Sequence, residues 1–383
     1  MVNVFIPKES RAGETRVAAT PETVKKMVKA GLAVGVGAGA GAGAWIADDA
    51  FAAAGATIAA DPAAARAAAD VVLQVGPGTP EEARQLKAGA VLIGLLAPHQ
   101  NPEVVRALAA GRVSAFAMEL VPRISRAQVM DALSSQASIA GYKAVLIAAV
   151  RLGKYFPLLM TAAGTIPPAR VVIMGAGVAG LQAVATARRL GAVVEVSDIR
   201  EVVKEQVESL GGKFIPLPER EGGGEGEGGY AREMSEEFLR QQRAIVAERV
   251  AQADVVICTA LVPGKKAPLL LSREMVEAMR PGSVIVDLAV SQGGNCELSQ
   301  ADEEVLHRGV LILGPSNLPA QTMATDASQL YARNVWALLE SLIRDGEVVV
   351  DLDDEVVAGA LLTHAGEIRH APTRALVEGE QSS

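Results

Sequence analysis

The sequence predicts an α/β protein of two domains, each a parallel sheet with helices on both faces, and three observations carry that prediction. Short β-branched apolar runs alternate with helical stretches along most of the chain, as strands buried on both faces do. The 383 residues, half of them apolar, exceed one ordinary core and supply enough apolar surface for two. Two long helical periodicities, Gln136 to Leu152 and Asp326 to Arg344, stand where the chain would cross between domains. The expected division is 1–135 plus 326–383 for the first domain and 136–325 for the second.

Val2 to Ile6 reads as the first strand. Thr20 then caps a helix that has Pro21 at its first position and ends at Gly31. Further strands are expected at Asp70 to Val75, Ala90 to Leu96 and Val113 to Ala117, with helices near Pro80 to Leu86 and Pro102 to Ala110. In the second domain, strands are expected near Val255 to Thr259, Val284 to Leu288 and Val310 to Leu313. The tail from Val348 is more polar and is expected to pack on the first domain, its last residues frayed.

The stretch that organises the second domain is Arg170 to Asp198. Arg170 to Met174 is an apolar strand that empties into Gly175, Gly177 and Gly180, spaced G-x-G-x-x-G. Leu181, Val184, Ala185 and Leu190 then recur at helical spacing, and Val193 to Val196 make a second strand that ends at Asp198. The first glycine permits the tight turn, the second lets the backbone approach a pyrophosphate at the helix N-terminus, and the third lets helix and strand pack closely. Asp198 stands where a carboxylate accepts the ribose hydroxyls of NAD and repels the 2′-phosphate of NADP. The fold class is therefore α/β, two Rossmann-like domains with parallel sheets joined by two long helices and the cofactor in the cleft. The Gly35–Ala44 stretch fits the loose glycine pattern at Gly35, Gly37 and Ala40, but without a following helical periodicity it reads mostly as a loop.

Composition excludes several classes. A net charge of −8 with no basic stripe argues against a nucleic-acid partner. Cys258 and Cys296 lack CxxC spacing and read as buried thiols in a reducing compartment, and His99, His307, His364 and His370 form no metal-like spacing. MVNVFIPKES lacks the apolar core of a signal peptide, which points to the cytoplasm. Neither Leu32 to Ala47, which is mostly Gly and Ala, nor Ser134 to Val150, which Lys143 interrupts, reaches the roughly 20 strongly apolar residues of a bilayer span. No direct membrane insertion is expected. The Leu217–Gln242 stretch is dense in glycines and acids before Tyr230. It reads either as a disordered insertion or as a flap over the cofactor anchored by Tyr230.

Several blocks carry a resemblance: MTAAGTIPPARVVIMGAGVAGLQA, SDIREVVKEQVESLGGKF, TALVPGKKAP, RPGSVIVDLAVSQGGNCELS, RVAATPETV and PRISRAQVMDALSSQASIAGY. They resemble the NAD(H)-binding component of proton-translocating NAD(P) transhydrogenases, over nearly the whole chain. Alanine dehydrogenases share the plan, but their substrate lysine and catalytic histidine have Gln74 or Gly76 and Leu95 or Leu96 as their equivalents here. Ser291 stands in place of their aspartate, and Arg16 remains. An amine oxidation needs a general acid or base that this set no longer supplies. Direct hydride transfer between two nicotinamides needs only positioning and exclusion of water.

The resemblance implies that Arg123, Gln128, Asp131 and Ser134 form the nicotinamide-contacting loop of the first domain. Gln128 would place the ring, with Arg123 and Asp131 fixing loop and ribose. On residue chemistry alone, the same block reads as a helix cap with a salt-bridge cluster. The resemblance also puts Ala176, Gly177 and Val178 on the pyrophosphate and Asp198, Ile199 and Arg200 around the adenosine. Gly229, Tyr230 and Gln242 fall in or beside the flap, and Leu261 lies beside the cofactor. Ser291 departs from the more acidic residue of the family, and no function attaches to the change. The resemblance further implies an oxidoreductase that is a homodimer and acts only with a membrane-spanning subunit and an NADP(H)-binding subunit, which hold it at the cytoplasmic face of the inner membrane. Two competing readings are an amino-acid dehydrogenase with a displaced base and an NAD-sensing interaction module.

Overall fold

The computed structural model describes residues 1–216, 236–262 and 264–379. The chain divides into two compact units, Met1–Gln136 with Pro319–Ser383, and Ala137–Leu318.

In the first unit, β1 (Asn3–Ile6), β2 (Ala33–Gly37), β3 (Thr57–Ala59), β4 (Val71–Leu73), β5 (Val91–Gly94) and β6 (Ser114–Ala117) pair in parallel. Their spatial order is β3-β2-β1-β4-β5-β6, the 3-2-1-4-5-6 arrangement of doubly wound folds. Both faces are buried. Val4, Ile6, Val71, Leu73, Val91 and Ile93 enter one core, while Phe5, Val72 and Leu92 enter the other. That is why these strands read as unbroken apolar runs rather than as alternating ones.

Helices Pro21–Lys29, Pro62–Ala68, Pro80–Arg84 and Pro102–Ala110 each open on proline, whose missing N–H costs nothing in the first turn. Thr79 and Glu82 cap Pro80–Arg84 reciprocally, at 2.8 and 3.2 Å.

The reading of Gly35–Ala44 as mostly loop is corrected at its start, because β2 runs to Gly37. Val34 and Val36 are buried, and a Cβ on Gly35 would lie 3.6 Å from the Phe5 ring. Burial of the two valines against β1 and its neighbours outweighs the weak strand propensity of the glycines between them.

Helix Ala132–Arg151 starts four residues before the expected Gln136, and the division between the units falls inside it. Its length and composition do meet those of a membrane-crossing helix, contrary to the reading that Lys143 rules this out. Ala144, Val145 and Ala148 are nonetheless packed into the core of the second unit.

The second unit opens with a short antiparallel hairpin, β7 (Leu159–Thr161) and β8 (Gly164–Ile166), which the sequence did not signal. Then follow β9 (Arg170–Met174), β10 (Val193–Ser197), β11 (Lys213–Phe214), β12 (Val255–Cys258), β13 (Val284–Asp287), β14 (Glu304–His307) and β15 (Val310–Leu313). The order is β11-β10-β9-β12-β13-β15-β14. All these neighbours are parallel except β14, which lies antiparallel on the edge. Without β14 the arrangement is again 3-2-1-4-5-6. Val171 and Ile173 point into one core and Val172 and Met174 into the other.

Helix Leu318–Leu342 returns the chain to the first unit. It begins eight residues before the expected Asp326 and breaks its helical geometry at Met323 (φ −152°, ψ 40°). A two-stranded turn follows, β16 (Ile343–Arg344) and β17 (Glu347–Val348), with Asp345 and Gly346 both at positive φ. The tail then enters the sheet: β18 (Leu361–His364) pairs antiparallel with β6, and β19 (Glu367–Ile368) with β18.

Candidate functional site

The second unit brings three segments together at the carboxyl ends of its central strands. At the end of β9 the chain turns at Gly175 with φ +102°, and Gly175 N donates to Ser197 O at 2.8 Å. A Cβ on Gly175 would meet Thr259 Oγ1 at 2.8 Å and Ala260 N at 3.2 Å, so this turn lies against the end of β12. A Cβ on Gly180 would fall 1.9 Å from Gly175 O, which is the close approach of helix Val178–Arg189 to its strand. At Gly177, by contrast, a Cβ would meet nothing within 4 Å. Steric demand explains the first and third glycines; open space beside the second is what a pyrophosphate at the helix N-terminus requires. Val178 is exposed there, and Ala176 is buried.

Asp198 follows β10 and is 8% exposed. Its Oδ2 accepts from Ala176 N at 2.7 Å, joining the acid to the glycine turn. Arg200 occupies the rest of the carboxylate: Nε and the backbone N reach Oδ1 at 3.0 and 2.9 Å, and Nη2 reaches Oδ2 at 2.8 Å. A ribose diol must compete with this guanidinium for the same oxygens. Ile199 is half-buried between them in sequence. Leu261, 39% exposed, follows Thr259 and Ala260 on the other side of the turn. Gln242 is half-buried on helix Glu236–Ala251 and, among the described residues, makes no hydrogen bond to the turn. Gly229 and Tyr230 lie outside the described residues.

The nicotinamide block belongs to the first unit. Buried Ala127 and Met130 anchor the short helical turn Ser125–Met130 and leave Gln128 and Val129 outward. Arg123 is exposed as well. Asp131 caps helix Ala132–Arg151: Oδ1 accepts from Ser134 N at 2.8 Å and Oδ2 from Ser134 Oγ at 2.6 Å. The turn is pinned from behind by Asn334, whose Nδ2 donates to Val129 O at 2.8 Å. Asp131 and Ser134 thus meet, and their bond to each other fixes the stretch that displays Gln128.

Sequence reasoning missed two residues that shape the second unit's site. Asp287, fully buried at the end of β13, accepts from Ala289, Asn295 and Cys296 N–H and from Ser299 Oγ, at 2.6 to 3.0 Å. Asn295 spans from this loop to Ala260 and Pro268. The signal for Asp287 was an acid closing a β-branched run before a Gly-Gly pair. Ser291 is exposed. The cysteines are buried; burial pushes the Cys296 thiol up to about 11 and the Cys258 thiol well above its ordinary value, so neither is a thiolate nucleophile. Among the described residues no group of His, Cys, Asp and Glu could hold a metal ion.

In the first unit, the positions aligned with an amino-acid dehydrogenase's catalytic groups carry no such chemistry. Gln74 Nε2 donates to Gly76 O at 2.7 Å, and its Oε1 lies 3.5 Å from Arg66 Nη1. Leu96 is buried and Leu95 half-buried.

Residues 5–140 match the alanine dehydrogenase/PNT N-terminal domain, and residues 144–371 match the alanine dehydrogenase/PNT C-terminal domain. The chain belongs to the alanine dehydrogenase/PNT family. Among relatives in that family, an NAD(P) transhydrogenase subunit alpha polypeptide of Rhodospirillum rubrum is 52% identical over 377 residues, covering 96% of this chain and 98% of that protein. The NAD(P) transhydrogenase subunit alpha of Haemophilus influenzae is 45% identical, covering 95% of this chain and 71% of its own length. The alanine dehydrogenase of Bacillus subtilis is 31% identical over 96% of this chain and 92% of its own. Among solved structures, transhydrogenase from Sinorhizobium meliloti superposes with a TM-score of 0.85 at 46% identity, covering 96% of this chain and 99% of that one.

Proposed function

We propose that this chain is the NAD(H)-binding subunit of a proton-translocating NAD(P) transhydrogenase. The observation that carries the reading is the pairing of a formed dinucleotide turn with an emptied amino-acid site. The turn has the open Gly177 edge and buried Asp198, while Gln74, Leu95 and Leu96 stand where a dehydrogenase would need titratable groups. The 52% identity to a subunit named for transhydrogenase supports the same choice.

Gly175, Ala176, Gly177, Val178 and Gly180 would hold the pyrophosphate, and Asp198, Ile199 and Arg200 the adenosine, with Leu261 on the far side of the turn. Gln128 would orient the nicotinamide, Asp131 and Ser134 would fix its loop, and Arg123 would secure loop and ribose. Bound NADH supplies a hydride from C4 of its nicotinamide to C4 of NADP⁺ on a partner subunit, yielding NAD⁺ and NADPH. The chain's own residues manage no substrate proton: they hold, orient and keep water out. Because Arg200 already offsets the Asp198 charge, rejection of NADP rests on competition for hydrogen bonds as much as on repulsion.

Proton passage, coupled to this transfer, takes place on a membrane-spanning subunit, and the chain sits at the cytoplasmic face of the inner membrane through its partners. Homodimer formation is supported by the β7–β8 hairpin, where Leu158 is 52%, Met160 73% and Ile166 38% exposed.

The test is to mix the chain with membranes carrying the membrane-spanning and NADP(H)-binding subunits and follow reduction of an NAD analogue by NADPH. Activity appears only in the mixture; sustained NADH-to-NADP exchange by the isolated chain would sink the split-subunit reading. A second reading, an amino-acid dehydrogenase with a displaced base, has Glu9 in its favour. This carboxylate, pushed up to about 7 by burial, binds Val75 N and Gly76 N beside Gln74. Robust NADH formation from NAD and L-alanine would favour it.

A further inference from the structure

Asn295 ties three stretches of the second unit together. Its backbone N–H donates to Asp287 Oδ2 at 2.9 Å, and its carbonyl accepts from Leu270 N and Leu271 N at 2.8 and 2.9 Å. The side chain reaches across to the end of β12. Oδ1 accepts from Ala260 N at 3.0 Å, while Nδ2 donates to Ala260 O at 2.9 Å and Pro268 O at 2.8 Å. The residue is 0% exposed. The chain reaches it through Gly293 and Gly294, at φ +98° and +77°; a Cβ on Gly294 would crowd Asp287 Oδ2 at 2.9 Å.

Topology decides which part of a dinucleotide this clamp faces. In the order β11-β10-β9-β12, Asp198 follows β10, the glycine turn follows the next strand, β9, and Ala260 and Leu261 follow β12 on the other side. With the adenosine at Asp198 and the pyrophosphate on the turn, the second nucleoside must run over the end of β12.

We propose that Asn295 is a positioning residue for the nicotinamide nucleoside of NAD(H): by binding both backbone groups of Ala260, it holds Thr259 to Leu261 at the spacing from the glycine turn which that nucleoside needs. The proposal rests on the NAD(H) reading above. The amide is required because one planar group supplies the acceptor for Ala260 N–H and two donors for the carbonyls. Aspartate would face two carbonyls with a carboxylate, and serine would leave part of the set without partners.

The experiment measures binding of NADH and of ADP, by calorimetry, to the full chain and to Asn295→Ser and Asn295→Asp. ADP carries the adenosine and the pyrophosphate but no second nucleoside. Ser283→Ala is the control: Ser283 Oγ donates to Ala253 O at the opposite, amino-terminal edge of the sheet. Both Asn295 variants should weaken NADH by about tenfold or more while ADP shifts less than about twofold, and the control should leave both unchanged. Should the Asp variant fail to fold, the Ser variant carries the test. Parallel loss of NADH and ADP, or no loss of either, would overturn the proposal. If the unaltered chain bound neither ligand, the NAD(H) reading itself would fall, an outcome distinct from both.

Discussion

Arg16 and Glu14 form a buried bidentate ion pair, with Nε 2.8 Å from Oε1 and Nη2 2.6 Å from Oε2, their side chains 8% and 3% exposed. Gln136 Oε1 takes Nη1 at 2.8 Å. The one charged group retained from the amino-acid dehydrogenase set is therefore committed inside the protein rather than left open to a substrate carboxylate. Removing Arg16 would strand a buried carboxylate. Arg16→Ala should lower stability to urea by about 3 kcal/mol or more. A loss below about 1 kcal/mol would mean that the pair is solvated.

Gly177 and Gly180 separate binding from folding. Gly180→Ala drives a Cβ into Gly175 O and should cost about 1–3 kcal/mol of stability, with loss of NADH binding. Gly177 has open space and φ −77°, so Gly177→Ala should melt like the unaltered chain yet bind NADH more weakly. Melting curves beside NADH titrations check both, and a Gly177→Ala chain with unchanged affinity would contradict a pyrophosphate at that edge.

Asp198 carries the ribose reading. Asp198→Ala removes the acceptor for Ala176 N and Arg200, and NADH affinity should drop by about tenfold or more. Fluorescence titration with NADH measures it. The same variant frees Arg200, so NADPH affinity should rise relative to NADH; a constant ratio would show that the pair does not set cofactor choice.

Glu9 predicts a pH dependence. Burial raises its carboxyl from 4.5 to about 7, aided by Glu14, against the lowering pull of Val75 N–H, Gly76 N–H and Arg16. The folded chain thus holds a proton that the unfolded chain releases above about 4.5. Its contribution to stability is complete below 4.5 and is lost as pH rises through about 7. Glu9→Gln cannot titrate, so between pH 5 and 7.5 its melting temperature should fall less than that of the unaltered chain. Parallel curves would place the Glu9 carboxyl in its ordinary range.

Much of the fold was legible because its determinants are local. Runs such as Val171 to Met174 and Val255 to Cys258 announce strands buried on both faces, and proline at Pro21, Pro80 and Pro102 marks helix starts by fixing φ. What was not legible lacks such a local mark. The hairpin of β7 and β8 is short and exposed, β2 is diluted by glycine, and the break at Met323 sits inside an otherwise regular helical pattern.

The sequence by itself determined the glycine turn and the acid closing β10, because backbone sterics and strand length set that geometry within about thirty residues. Only tertiary structure decided that Thr363 Oγ1 would donate to Val113 O across 250 positions and bring the tail into the first sheet. It likewise decided that Arg200 would hold the Asp198 carboxylate and that Asn295 would clamp Ala260. These contacts depend on which buried polar groups face one another once the strands are ordered. A buried donor or acceptor must find a partner wherever the fold places one, and chain spacing carries no record of that choice.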